Sequence, residues 1–157
     1  MSLKEFRIIL IQDSHLKAAI AEQILLALPD WFGLPDSTRE YIEKSRELPF
    51  WAAFRGDEAV GFASMTTSSR DTADVFCMGV LPEHHRQGMG RALMAALEEH
   101  ARDAGHHLLQ VKTVDEGHYP EYDRTIAFYE GMGFWRLEVF PDLWDPWNPC
   151  LVLVKAL

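Results

Sequence analysis

The chain has 157 residues, of which 48% are hydrophobic and 25% are charged, and its formal net charge at neutral pH is −9. This length suits one hydrophobic core, so we expect a single domain over residues 1–157. The acidic balance argues against binding to nucleic acid or to an anionic membrane, since both repel negative charge, and no stretch has the roughly 18–20 apolar residues that cross a bilayer.

The first residues are typical of a cytoplasmic protein that begins with a strand. Lys4, Glu5 and Arg7 interrupt any signal-peptide pattern, so we expect a cytoplasmic location. The apolar run Phe6–Ile11 is short and rich in β-branched residues, which favours a strand.

Two helices are expected next. Ser14 can cap the first helix, whose apolar residues recur at helical spacing, and Pro29 ends it. The second helix has Asp36 or Ser37 as its candidate cap and runs towards Leu48.

The middle of the chain predicts three strands and one strong helix. A Gly-Asp turn signal between the first two strands predicts an antiparallel hairpin. The helix has one apolar face and is stopped by Gly105. The predicted strands are Phe50–Phe54, Ala59–Thr66 and Asp74–Leu81, and the helix covers about Gly90–Ala104.

The C-terminal part predicts a strand at His107–Val114, a short helix at Arg124–Met132 and strands at Phe134–Phe140 and Cys150–Val154. The segment Phe140–Pro149 is rich in proline and tryptophan and is expected to be a stiff loop. It could wall a ligand pocket, contact a second copy of the chain or pack on the core. The order of elements predicts a mixed α/β fold.

The cysteines and paired histidines do not predict a metal site. Cys77 and Cys150 lie in apolar, strand-like runs and are expected to be buried, reduced thiols. The histidines of the pairs His84-His85 and His106-His107 point apart, because neighbouring side chains on an extended segment do so. We therefore expect no metal.

The most informative segment is the turn Arg86-Gln87-Gly88-Met89-Gly90-Arg91, which lies between a predicted strand and a predicted helix. The first N–H groups of a helix have no intrahelical partners, and the helix dipole adds positive charge there, so such a turn can bind an anion. Gly88 and Gly90 allow a diphosphate to approach the backbone, and Arg86 and Arg91 can add charge-assisted hydrogen bonds. A plain tight turn before a helix is the alternative.

Two common nucleotide-binding motifs fail at this turn. The dinucleotide fingerprint requires a third glycine where Leu93 stands. The phosphate-binding loop requires a Gly-Lys-Ser/Thr sequence, which the chain lacks. A different class of α/β nucleotide binder is therefore disfavoured.

Two segments, Val80–Leu93 and Ala127–Phe134, resemble the signature motifs of the GNAT acetyltransferase superfamily. The first is similar to the acyl-CoA motif, with His85 where arginine or glutamine is usual. The second is similar to the Leu-Tyr-Glu-x-x-Gly-Phe segment of the family. The resemblance covers roughly residues 50–155. It implies the acyl-CoA N-acyltransferase fold, with a mixed, mostly antiparallel central sheet flanked by helices.

The resemblance also implies roles for individual residues. Backbone groups of Met78, Gly79 and Val80 would contact the pantetheine arm of acetyl-CoA, and the turn Arg86–Arg91 would contact its pyrophosphate. Tyr129 would act as the general acid that protonates the thiolate leaving group. The alternative for Tyr129 is a core aromatic residue.

The amine that is acetylated must lose a proton, so a base is needed. Asp74 stands at the strand position that carries the base in the histone-acetylating branch of the family, although a solvated aspartate at a strand end is an alternative. Asp115, Glu116 and His118 are competitors, because they lie in the loop that borders the acceptor cleft in this fold.

The activity implied is transfer of an acetyl group from acetyl-CoA to a primary amine, by direct attack in a ternary complex. We expect a small-molecule acceptor, because the chain has no basic or extended element that would recognise a polymer. A peptide or protein amine is an alternative, and so is a non-catalytic, regulatory acyl-CoA-binding domain of the same fold. A homodimer is a further expectation.

Overall fold

The computed structural model of the chain describes residues 5–157. Lys4, one of the three charged residues that argued against a signal peptide, lies outside the described residues. Within the described part, every helix is too short or too polar to span a membrane.

The described residues form seven strands, four α-helices and one 3-10 turn. The hydrogen-bonded strand order is β1-β2-β3-β4-β5-β7-β6. The β4–β5 pair is parallel, whereas β1–β2, β2–β3, β5–β7 and β7–β6 are antiparallel, and this mostly antiparallel sheet confirms the predicted fold class. In chain order the elements are β1 (Arg7–Leu10), α1 (Ser14–Leu26), α2 (Pro35–Ser45), β2 (Phe50–Arg55), β3 (Glu58–Thr67), β4 (Thr72–Val80), the 3-10 turn (Pro82–His84), α3 (Met89–Asp103), β5 (Leu108–Val114), α4 (Pro120–Gly131), β6 (Trp135–Asp145) and β7 (Asn148–Ala156).

The chain divides into two compact units, and the first contains the described residues up to Thr66 together with Phe76–His100. Its strands β1, β2 and β3 pair antiparallel, as the predicted hairpin requires. The fully buried rings of Phe50 and Phe62 stack with their centroids 5.0 Å apart. Burial of large aromatic side chains is a main source of stability for such a core.

The second unit contains Thr67–Val75 and Ala101–Leu157. The start of β4 pairs in parallel with β5, and β5 pairs antiparallel with β7, whose other neighbour is β6. Leu109 on β5 and Leu153 on β7 are fully buried and lie in its core.

The caps of the first two helices differ from the prediction. Asp13, not Ser14, caps α1, because its carboxylate accepts a hydrogen bond of 2.8 Å from the Leu16 N–H. Helix α2 begins at Pro35, whose fixed φ suits the first helical position, so Asp36 and Ser37 lie inside the helix. Both helices also end earlier than expected, because the last turn of a helix often loosens before a proline or a polar segment.

The proline- and tryptophan-rich segment is not a loop. Strand β6 continues to Asp145, and a short turn then leads into β7 at Asn148. The Asp145 carboxylate closes this turn by accepting hydrogen bonds from the Trp147 N–H and the Asn148 side chain. Pro141 is tolerated because β6 is the edge strand, where an N–H is not needed for a second neighbour.

Cys77 and Cys150 are buried free thiols, as predicted. Burial raises the pKa of the Cys77 thiol far above its usual range. Burial also raises the pKa of Cys150, to about 11, although Lys112 opposes the shift. Neither thiol is therefore a ready nucleophile at neutral pH.

Candidate active site

Within the first unit, the end of β4, the turn after it and the start of α3 form one continuous segment. This segment contains every residue predicted to bind the cofactor. In chain order these are Met78, Gly79 and Val80 on β4, then Arg86, Gln87 and Gly88 in the turn, and Met89, Gly90 and Arg91 in the first turn of α3.

The first turn of α3 presents backbone N–H groups that its own helix cannot satisfy. The first helical hydrogen bond runs from the Ala92 N–H to the Gly88 carbonyl, at 3.0 Å. The N–H groups of Met89, Gly90 and Arg91 precede it and so have no helical acceptor. Together with the positive end of the helix dipole, these three groups suit an anion.

The backbone of the turn leaves room for such an anion. Gly88 has φ +87°, and no heavy atom beyond Gly88 itself and its two chain neighbours lies within 4 Å of the position that a Cβ would occupy. Arg86 has φ +62°, and among the described residues it is the one non-glycine with a positive φ. A left-handed conformation is unfavourable for arginine, and strained residues of this kind cluster at functional sites.

Gly79 is required by packing, which the sequence pattern did not show. A Cβ at this position would lie 3.0 Å from Leu28 Cδ1 and 3.3 Å from Ile24 Cγ2, both on or next to α1. Glycine therefore lets α1 pack closely on β4. The predicted contact of Gly79 with pantetheine is independent of this packing, since a backbone group would make that contact.

Two side chains stabilise the turn through hydrogen bonds: Arg55 on β2 and Gln87 within the turn. The Arg55 guanidinium donates a hydrogen bond to Gln87 Oε1, and Gln87 Nε2 donates to the Glu83 carbonyl at 3.4 Å. Sequence reasoning missed Arg55, because it is 32 positions from Gln87 and belongs to no motif. Arg55 adds a third guanidinium to those of Arg86 and Arg91 in this region.

His85 also stabilises the turn. Its Nε2 lies 2.6 Å from the Val80 carbonyl oxygen, a geometry that requires the ring to donate the hydrogen bond. The ring of Trp31 makes an edge contact with His85, with a centroid separation of 6.1 Å. The histidine that replaces the usual arginine or glutamine thus joins the end of β4 to the turn.

In the second unit, Asp74 is buried and engaged by three donors. Its Oδ2 accepts hydrogen bonds from Lys112 Nζ at 2.8 Å, Gln110 Nε2 at 3.2 Å and Ser68 Oγ at 3.3 Å. The residue is 7% exposed. The alternative of a solvated aspartate at a strand end is therefore wrong.

The competing bases lie in the loop between β5 and α4. Glu116 and His118 are exposed, and Glu116 Oε2 pairs with Arg136 Nη1 at 3.0 Å. Arg136 also binds Glu130, and these two hydrogen bonds, with Glu130 the stronger, raise the pKa of the guanidinium above its usual range. Glu116 is thus held by a surface ion-pair network, whereas Asp74 is held inside the unit.

Tyr129 lies on α4 and is 8% exposed. Its ring makes edge contacts with Phe128 and Phe134, with centroid separations of 5.5 Å and 5.6 Å. The two neighbours restrict the direction of the ring and hence the position of the phenol oxygen. This packing is compatible with either role considered for Tyr129.

An aromatic cluster in the first unit was not anticipated as a group. Tyr41 on α2 contacts Phe32 at 5.8 Å and Phe76 on β4 at 5.4 Å, measured between ring centroids. The three rings are half-buried, and Lys44 Nζ lies 5.9 Å from the centroid of the Phe76 ring. A cation is thus already accommodated over this ring, as expected for a cation–π contact.

The sequence and the fold both match known acetyltransferases. Residues 19–134 match the model of the acetyltransferase (GNAT) family. The chain is 26% identical over 116 residues to YsnE of Bacillus subtilis, an uncharacterised N-acetyltransferase, with 73% of this chain and 75% of that protein covered. It spans half or less of the length of the rat N-acetyltransferases that it also matches.

Two solved structures show the same fold. A GNAT-family acetyltransferase from Desulfovibrio desulfuricans superposes with a TM-score of 0.81 at 20% identity, over 97% of this chain and 99% of that one. The Salmonella typhimurium acetyltransferase yncA, solved with its cofactor acetyl-CoA, superposes with a TM-score of 0.73 at 19% identity, over 98% of this chain and 94% of that one.

Proposed function

Since this chain belongs to the GNAT acetyltransferase family and is thus an acyltransferase, we propose that it transfers an acetyl group from acetyl-CoA to a primary amine. The observation that carries the proposal is the turn before α3. There, the backbone beside Gly88 is open, three N–H groups of the first helical turn have no helical partners, and Arg86 and Arg91 are exposed cationic residues of the same turn.

The residues of this turn fit the pyrophosphate of acetyl-CoA. A diphosphate needs several N–H donors, positive charge and room near the backbone, and the first unit supplies all three. The backbone of Met78, Gly79 and Val80 would contact the pantetheine arm. Because the His85 ring already donates a hydrogen bond to the Val80 carbonyl, the backbone groups of Met78 and Gly79 would make most of the contacts with the pantetheine arm. When bound, acetyl-CoA supplies an acetyl group activated as a thioester.

The proposed proton transfers use two side chains of the second unit. Tyr129 donates a proton to the departing thiolate, and Asp74 accepts the proton of the attacking amine. The three hydrogen bonds to Asp74 all end on Oδ2, so Oδ1 is the oxygen that receives this proton, directly or through a water molecule. The buried thiols of Cys77 and Cys150 are poor nucleophiles, which favours direct attack in a ternary complex.

The acceptor is proposed to be a small molecule. The cluster of Phe32, Tyr41 and Phe76 offers ring surfaces of the size of a small apolar group, and the ring of Phe76 tolerates a cation.

We propose in addition that residues 1–157 act as one domain, since β4 and α3 each run through both units. The reduced thiols favour a cytoplasmic protein, and the exposed strand β6 favours a homodimer.

A thiol-release assay with acetyl-CoA tests the proposal. The purified protein is assayed against primary amines, amino acids, aminoglycosides and peptides, and its melting temperature is measured with and without acetyl-CoA. We expect thiol release with at least one small amine and a higher melting temperature with acetyl-CoA. A thermal shift without release for any amine would favour the regulatory domain, and release with peptides alone would favour a peptide acceptor. No shift at a millimolar concentration of acetyl-CoA would refute the cofactor assignment.

A further inference from the structure

The hydroxyl of Thr113 on β5 is a buried polar group to which the proposed reaction gives no role. The residue is 4% exposed, and among the described residues its Oγ1 has no hydrogen-bond partner. Thr38 is equally buried, yet its Oγ1 donates a hydrogen bond to the Phe32 carbonyl at 3.1 Å. A buried hydroxyl without a partner destabilises a fold, and such groups are rare in native proteins. Packing alone therefore does not explain a threonine at position 113.

The side chains beside Thr113 are apolar. In the antiparallel β5–β7 pair Thr113 lies opposite Leu151, and Val111 lies two positions before it on the same face of β5. Val111 and Leu151 are each 2% exposed. A buried water molecule needs about two to four polar partners, and these side chains offer none. A structural water is thus a poor partner for the hydroxyl.

The face of β5 that points away from Thr113 carries the proposed base. Gln110 and Lys112 lie on that face, and both donate hydrogen bonds to the Asp74 carboxylate. Thr113 follows Lys112 directly, and neighbouring side chains on a strand point to opposite faces. Thr113 therefore lies on the other side of the sheet from the proposed base.

The side of the sheet that Thr113 faces is the side on which α4 packs. Leu109 shares this face with Thr113, and Lys155 lies opposite Leu109 in the β5–β7 pair. Lys155 Nζ donates a hydrogen bond of 2.7 Å to the carbonyl of Met132, the C-terminal cap of α4. Helix α4 also carries Tyr129. Thr113 therefore lies on the same side of the sheet as the proposed general acid.

One side of β5 lacks a strand neighbour next to Thr113. The parallel pairing covers residues 72–74 of β4 and residues 108–110 of β5. Over residues 111–114, β7 is the one strand that pairs with β5 in the described part of the chain. An extended ligand can therefore approach this part of β5 from its side. Rotation about χ1 exchanges the positions of the hydroxyl and methyl groups of threonine, so the hydroxyl can meet such a ligand without movement of the backbone.

We propose that the Thr113 hydroxyl binds an amide group of the pantetheine arm of acetyl-CoA, an assignment that rests on the proposed function. The pantetheine arm is extended, contains amide groups and ends at the sulfur that Tyr129 would protonate. It therefore suits the side of the sheet that Thr113 and Tyr129 share, whereas the acceptor amine would meet Asp74. A hydroxyl both donates and accepts, so it can bind the carbonyl or the N–H of an amide. Thr113 is thus a further cofactor-binding residue.

Thr113→Val tests this assignment, because it keeps the shape of the side chain and removes the hydroxyl. We expect the Kd of CoA, measured by calorimetry, to rise about 3- to 10-fold, as it does when one hydrogen bond of ordinary strength is lost. The Kd of acetyl-CoA should rise by the same factor. The kcat should change little, since a contact with the arm is made equally before and in the transition state. Thr113→Ser keeps the hydroxyl and should bind CoA nearly as tightly as the wild type.

The same variant should be more stable than the wild type, which would not hold for a hydroxyl with a structural role. Without ligand, Thr113→Val should raise the melting temperature by about 2–4 °C, because it removes an unpaired hydroxyl from apolar surroundings. Thr38→Val is the matched control, since it removes an equally buried hydroxyl that has a partner. The control should lower the melting temperature and leave the Kd of CoA unchanged.

The proposal is overturned if Thr113→Val binds CoA as tightly as the wild type. It is also overturned if this variant has a lower melting temperature, which would show that the fold itself uses the hydroxyl. A fall in kcat at unchanged CoA affinity would assign Thr113 to the acetyl group instead, and a rise confined to the KM of the amine would assign it to the acceptor. Failure of the wild type to bind CoA would refute the proposed function itself, whereas unchanged affinity in Thr113→Val alone refutes only the role of Thr113.

Discussion

Lys112 Nζ lies 2.8 Å from Asp74 Oδ2, so strand β5 holds the carboxylate of β4 in a defined position. Gln110 and Ser68 bind the same oxygen. Asp74 is 38 positions from Lys112 in the chain, yet the parallel pairing of β4 and β5 places Asp74 opposite Gln110. A carboxylate fixed in this way loses little entropy when it meets a substrate, which suits a general base.

Substitution of Asp74 by asparagine should lower kcat about 100-fold or more, because general bases contribute about 100- to 10,000-fold to such rates. The KM for acetyl-CoA should change little. Steady-state kinetics of Asp74→Asn are compared with those of Asp115→Asn, Glu116→Gln and His118→Gln. A larger loss in any of these three would transfer the role of base to that residue.

The ion pair itself should contribute measurably to stability. Lys112→Met leaves the buried Asp74 without its charged partner and should lower the free energy of unfolding by about 1–3 kcal/mol. A double-mutant cycle with Asp74→Asn isolates the pair, and we expect a coupling energy of about 1 kcal/mol or more in urea denaturation. Strictly additive effects would show that the contact is energetically neutral.

Tyr129→Phe removes the phenol oxygen and keeps the ring between Phe128 and Phe134. If Tyr129 is the general acid, kcat should fall about 100-fold while the thermal shift with acetyl-CoA is kept. Phe128→Leu is the matched control, since it perturbs the same aromatic packing without touching the phenol. Unchanged turnover in Tyr129→Phe would assign the residue to the core alone.

Gly88→Ala should weaken the binding of CoA more than it destabilises the fold. Alanine at φ +87° is strained by about 1–2 kcal/mol, and its Cβ would enter the space proposed for the phosphates. Gly105 provides a matched control, because it has φ +90° and equally open surroundings at the end of α3. Both variants should lose similar stability in denaturation, but calorimetry should show weaker CoA binding only for Gly88→Ala.

Arg86→Gly should have opposite effects on stability and binding. Glycine relieves the unfavourable φ of +62°, which should raise the free energy of unfolding by about 0.5–1 kcal/mol. Loss of the guanidinium should weaken CoA binding and reduce its dependence on salt. Arg91→Ala removes a charge from the helix without relief of strain, so it should weaken binding with no gain in stability.

Local patterns in the sequence predicted much of the fold. Strand alternation, the Gly-Asp turn and the apolar face of α3 reflect neighbours within a few residues, and these elements are confirmed. The turn Arg86–Arg91 could be identified for the same reason, since its glycines and the start of α3 are adjacent in the chain. The helix caps were misassigned because Asp13 and Ser14 are both good caps, and only the path of the backbone decides between them.

The segment from Phe140 to Asp145 shows where local reasoning fails. Proline and tryptophan in one short segment suggest a loop, but the position of Pro141 on an edge strand removes the penalty for its missing N–H. No pattern within the segment reveals that it will lie at an edge, because the position of β6 depends on β7 entering the sheet between β5 and β6.

The sequence by itself determined the α/β class, the glycine-containing turn before α3 and the family, because each depends on residues close together in the chain. Only the tertiary structure decided that Lys112 binds Asp74 and that Arg55 binds Gln87. It also decided that close packing requires glycine at position 79 and that β6 lies exposed at the edge of the sheet. These features join residues that are tens of positions apart. Such contacts follow from how strands pair and helices pack, which no local pattern of residues specifies.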